Sequence, residues 1–94
     1  MKDDPYLGMI EEQWDNIVMV HQTFSDRDQI IEFDVTEQKI YSYPASDFIQ
    51  NLSERTRDRT ARQFAEAKNR NKFLLFIKDT ENQRLRSYIF DLPE

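Results

Sequence analysis

Three groupings of side chains contain residue types that chemistry needs. The single histidine, His21, is followed by Ser25 and Asp26, the types of a base, a nucleophile and an orienter. A catalytic triad is assembled in space and not by closeness along a turn, so His21 is expected to be a partly buried strand residue with a satisfied ring. Asp26, Asp28, Glu32 and Asp34 offer the oxygens a hard cation favours. Their spacing matches no calcium loop, and alternation accounts for Glu32 and Asp34 as the solvated face of a strand.

Asp34 followed by Glu37 and Lys39 gives an acid and an E-x-K pattern. Metal-dependent nucleases use such residues to hold an ion and to meet developing charge. Three residues of such common types at a hairpin turn are a weak basis for a hydrolase centred on them. With Gly8 the only glycine, no glycine-rich phosphate loop exists, and the absence of cysteine excludes thiol catalysis, disulfides and thiolate metal sites. No catalytic residue, metal or cofactor is expected, and the chain does not read as an enzyme.

The elements that must position these residues are organised around a long polar stretch from Pro44 to Lys72. Pro44 disfavours helix at Tyr43, Ser46 offers a capping hydroxyl, and Asp47 places a carboxylate in the first turn. At helical spacing, Phe48, Ile49, Leu52, Thr56, Thr60, Gln63, Phe64 and Ala67 form an uncharged stripe, thin in the middle. This predicts one long helix, with a bend near Ser53 or Asp58 as the alternative. Asp58 with Arg62 and Glu66 with Arg70 stand in the favourable order for ion pairs along a helix.

The formal net charge of −5 conceals an asymmetry: residues 53–72 hold seven bases against three acids, a net +4, which leaves −9 elsewhere. Arg55, Arg59 and Arg62 flank one edge of the helical stripe, with Arg57 and Lys68 across from it.

Elsewhere the pattern is of strands. Ile31, Phe33 and Val35 alternate with Glu32 and Asp34, a half-buried strand over residues 29–35, and Lys39 to Tyr43 pairs with it as a hairpin. Phe73 to Ile77 is apolar on both faces, a central strand, and Leu85 to Leu92 is a final strand. Residues 9–24 carry two patterns. Ile10, Trp14, Ile17, Val18 and His21 have helical spacing, whereas the run from Ile17 to Phe24 is β-branched and aromatic. The reading taken is a short helix from about Met9 to Asp15 and then a strand from about Ile17 to Phe24, with a single helix as its rival.

Residues 1–8 are expected as a flexible arm, and no internal repeat or linker is evident. The chain thus predicts one α+β domain over residues 1–94: a small antiparallel sheet of about four to five strands, one long helix on a face and a short N-terminal helix. No secretory signal or membrane-spanning run is present, so a cytoplasmic protein without a membrane partner is expected.

Arginine and aromatic residues are enriched at interfaces. Trp14, Tyr41, Tyr43, Tyr88 and Phe90, with Arg55, Arg59 and Arg62, are therefore the candidate partner-binding residues, although the aromatics could equally complete a second core layer under the N-terminal segment. The expected function is a small non-enzymatic interaction module, a regulator, adaptor or inhibitor of a larger protein, forming a homodimer. Its acidic strand face would meet a basic partner. The alternative is a nucleic-acid-binding regulator using the arginine-rich helix 53–72 on phosphates.

Overall fold

The computed structural model describes residues 5–24 and 27–91. The element order is α1 (Pro5–Glu12), α2 (Trp14–Phe24), β1 (Gln29–Asp34), β2 (Lys39–Pro44), α3 (Ala45–Gln50), α4 (Glu54–Asn69), β3 (Phe73–Asp79) and β4 (Arg84–Phe90). The fold is α+β, with one four-stranded sheet in the order β2-β1-β3-β4.

The sheet is mixed and not wholly antiparallel. β2 and β4 pair antiparallel with β1 and β3, whereas β1 and β3 run parallel at the centre, with Ile31 opposite Leu75 and Phe33 opposite Ile77. The chain leaves β2, crosses over β1 through α3 and α4 and enters β3 running opposite to β2, and so parallel to β1, a pairing that a tight hairpin alone cannot make.

Helices cover both faces. On one side, Tyr6, Ile10 and Ile17 from α1 and α2 bury against Ile31, Phe33, Phe73, Leu75 and Ile77. On the other, Ala45 and Ala67 from α3 and α4 lie with Ile30, Leu74 and Phe76, and Phe48, Ile49 and Phe64 pack around them. Each fully buried Ile, Leu or Phe contributes about 1.5–3 kcal/mol relative to exposure. The two-sided apolar run of β3 is buried as its sequence requires.

β1 is also buried over nearly its whole length, which corrects the expectation of a solvated acidic face. Glu32 is 9% exposed and Asp34 4%. Alternation shows which face of a strand is the more apolar, and it does not reveal that helices close the other face as well.

Residues 17–24 are helical, not a strand. Ile10, Ile17 and His21 point to the sheet, so the helical register lets one side of the segment bury while Met19 stays in solvent. That packing outweighs the β-propensity of the run. The helix also begins earlier than expected: α1 starts at Pro5 and takes in the region given to an arm, with residues 1–4 outside the described part. Gly8 lies within α1 without a positive φ, and Gln13 separates α1 from α2.

The long helix is likewise divided. Ser53 is extended, with φ −62 and ψ 153, and its hydroxyl lies 3.1 Å from that of Thr56. The thin part of the stripe has too little apolar surface to hold one straight helix to the sheet, so α3 ends at Gln50 and α4 begins afresh. Pro44, not Ser46, occupies the position before α3, and no side chain caps it. α4 ends at a left-handed residue, Asn71, with φ 63. Asn71 N–H donates to Lys68 C=O at 3.2 Å and Lys72 N–H to Ala67 C=O at 2.9 Å, the bond pattern of a Schellman stop.

The structure also shows a repeat that was not evident in the sequence. Asp34, Gln38, Ile40, Ser42 and Tyr43 recur at one constant offset as Asp79, Gln83, Leu85, Ser87 and Tyr88. The two hairpin turns are built alike. Asp34 Oδ1 accepts from Glu37 N–H at 3.0 Å and Asp79 Oδ1 from Asn82 N–H at 3.2 Å. Gln38 and Gln83 have φ of 55 and 53.

Each hairpin is preceded by a helix that packs on it, α2 on β1 and β2, α4 on β3 and β4. The halves are related by an approximate twofold axis along the parallel central strands, so equivalent residues fall on opposite faces. Tyr43 packs on Phe48 of α3, while Tyr88 joins the cluster under α1 and α2.

Candidate functional site: the open end of the α3/α4 face

The twofold relation is broken at one end of the sheet. On the α1/α2 face, the region beside Phe33, Ile77 and Tyr88 is filled by α1. Tyr6 is buried there, its hydroxyl donates to Asp79 Oδ2, and the Arg86 guanidinium lies 5.3 Å from its ring centre. Asn82 Nδ2 donates to the same carboxylate oxygen at 2.8 Å. The Tyr6 hydroxyl, followed by Asn82, holds the Asp79 carboxyl below its ordinary range. The bond to Asp79, with burial behind it, pushes the Tyr6 phenol up.

On the α3/α4 face the equivalent region is an open cleft of about 630 Å³. Phe48, Leu52 and Leu85 give it apolar walls, and Glu32, Tyr43 and Lys78 line it across the sheet. α3 takes the place of α1 in the twofold relation but has only six residues, so among the described residues the cover on this face stops short of Glu32, Lys78 and Leu85. Leu85 is left 48% exposed. Glu32 and Lys78 stand where the other face has Ile77 and Phe33, so this seat is polar at its floor.

The Tyr43 hydroxyl donates to Glu32 Oε1 at 3.2 Å. Burial, with the Glu32 charge behind it, pushes the Tyr43 phenol up to about 12, which keeps it a neutral donor. Asp47 and Asn51 of the α3 end and Arg84 of β4 complete the rim. The cleft thus offers an apolar wall, a nearly buried carboxylate, and exposed groups of both signs.

The sequence-designated residues do not converge here. Trp14 and Phe90 have ring centres 4.4 Å apart and Phe90 lies 5.7 Å from Phe73, so these two, with Tyr88, complete the core beneath the N-terminal helices. Tyr41 and Tyr43 stack at 6.2 Å on the opposite face, and of the five aromatics only Tyr43 reaches the cleft. Arg55, Arg59 and Arg62 are exposed on α4. Arg62 Nε donates to the Asp58 backbone oxygen at 3.4 Å in place of the expected carboxylate pair, whereas Arg70 and Glu66 do pair, at 3.4 Å. Among the described residues no ion pair involves Arg55 or Arg59.

The candidate chemistries are dispersed. His21 lies on α2 with its ring 5.1 Å from Phe73, and Ser25 and Asp26 fall outside the described residues. Asp28 pairs with Lys68 at 2.5 Å. The Asp34 carboxylate caps its own turn, and Glu37 accepts from the Tyr41 hydroxyl at 3.5 Å. Among the described residues no group of three or more His, Asp or Glu side chains is placed to hold a metal ion, and no helix is long and apolar enough to cross a membrane.

Of the cleft residues, Glu32 was expected on a solvated strand face and Phe48 and Leu52 in the helical stripe, while Lys78 and Leu85 were given no functional role. Comparison of the chain with protein-family models, with characterised proteins and with solved structures finds no match, and the functional reading rests on this geometry.

Proposed function

We propose that the protein is a small non-enzymatic interaction module that binds another polypeptide through the cleft between α3 and the β3–β4 hairpin. The observation that carries this reading is the broken twofold: a seat filled by α1 on one face is, among the described residues, only partly covered by the shorter α3 on the other. An apolar wall with a few convergent polar groups is the usual composition of a binding site. A helix laid into an apolar groove is a recurring mode of peptide recognition. Within this reading, regulation, adaptation or inhibition of a larger protein follows from what the cleft captures.

The test places a photo-cross-linking residue at Leu85 and, as a control, at the exposed Met19 on α2, in the cells that make the protein. A single defined protein adduct at Leu85, absent at Met19 and lost on Phe48→Asp, is expected. Equal, diffuse labelling at both positions would contradict the reading. A nucleic-acid regulator is the second reading, favoured by Arg55 and Arg59, which form no ion pair among the described residues. It predicts a gel shift that weakens steeply with salt and disappears in Arg55→Glu/Arg59→Glu.

A further inference from the structure

The occupant of the cleft follows from its chemistry and from what lies beside it. The matching seat on the other face takes a helix whose Tyr6 donates to a carboxylate. The open seat keeps the carboxylate theme but changes the floor. Glu32 is nearly buried with one donor, the Tyr43 hydroxyl, and a carboxylate accepts more bonds than that. Asp47 adds a second acid at the rim. A helix bearing cationic side chains suits such a seat, since an arginine stem covers apolar wall while its guanidinium bonds a carboxylate in two places.

The same molecule presents such a helix next to the cleft. Leu52 lines the cleft, and α4 starts two residues later, with Arg55 and Arg59 one turn apart on its exposed edge. Gln63, toward the same edge, bonds Ser87 of β4 at 3.0 Å, so this edge overhangs the outer strand whose Leu85 walls the cleft. Donor and acceptor surfaces are therefore neighbours on one face of one chain. That is the requirement for a closed twofold interface, in which each copy gives and receives the same contact.

We infer that the cleft is filled by a second copy of this chain, the Arg55 and Arg59 side chains of each copy entering the other's cleft toward Asp47 and Glu32. The inference rests on the interaction reading above and names its partner. Glu54 and Asp58 flank those arginines on α4 and Lys78 lines the cleft, so helix and seat both carry charges of both signs.

Solution mass by light scattering tests this with the full chain. The wild type is expected as a dimer at low salt, loosening as salt screens the contact. Arg55→Glu/Arg59→Glu and Asp47→Arg, each alone, place like charges at both contacts of the pair and are expected to weaken association at least about tenfold. A one-to-one mixture of the two variants restores both contacts in a heterodimer and is expected to recover the dimer mass. Both sets of changes are on exposed side chains, so circular dichroism is expected to be unchanged.

A wild-type monomer at every concentration and salt, variants that remain dimeric, or a mixture that stays monomeric would each overturn the inference. If the mass test fails while Leu85 still cross-links to a foreign protein, the self-association falls and the interaction reading stands. If neither gives a product, both fall.

Discussion

His21 shows how a residue that invites a catalytic reading can be explained by its surroundings. It lies on the buried side of α2 against Phe73, and burial, with the nearby Arg27 charge, lowers its pKa from the ordinary value of 6.5. Folding therefore favours the neutral ring. The resulting stability is complete above pH 6.5 and is lost as the pH falls below it toward the depressed folded value. Thermal unfolding followed from pH 7.5 to pH 5 is expected to show a falling Tm in the wild type and a shallower fall in His21→Gln; equal slopes would contradict this. The partial burial of His21 was legible from its place in an apolar pattern, and its helical spacing was visible too but was outranked by the β-branched run beside it. Similarly, Glu32 read as solvated because a carboxylate in an alternating strand usually is, and nothing local announced the Tyr43 hydroxyl that meets it.

Among the elements, strands were more legible than helices. β1, β2, β3 and β4 lie where alternation and the apolar run placed them, because period-2 patterning is imposed by the sheet itself. The helices were misjudged at their breaks: the stop at Gln13 was not foreseen, and the break at Asn51 to Ser53, present only as the alternative bend near Ser53, was outranked by the single-helix reading, with no glycine or internal proline to mark either. Both hairpin turns depend on a glutamine at positive φ, Gln38 and Gln83, where a β-branched side chain is strained. Gln83→Val is expected to lose about 1–2 kcal/mol in denaturant unfolding, the order of cost for a side chain forced into the left-handed region. Thr80→Val, at the start of the same turn, serves as the control and is expected to change little. Equal effects of the two would show that the turn does not depend on the conformation of Gln83.

For the whole molecule, the α+β class followed from element types alone, whereas the parallel central pair and the twofold relation did not. The repeated residues, Asp34 to Tyr43 and Asp79 to Tyr88, are separated by helices of unrelated composition, apolar in α2 and arginine-rich in α4. The likeness emerges once the two turns are superposed by their geometry. The same relation explains why five aromatics read as one surface divide between two faces, and the shorter α3, six residues against eight in α1, is where it breaks.

Hydrogen exchange of the wild-type chain at low and high protein concentration is the most direct test that this open seat is the docking surface. The account predicts concentration-dependent slowing confined to residues 47–59 and 83–86, with the amides of α1 unchanged. Exchange that is independent of concentration, or slowing centred on α1 and α2 instead, would contradict it.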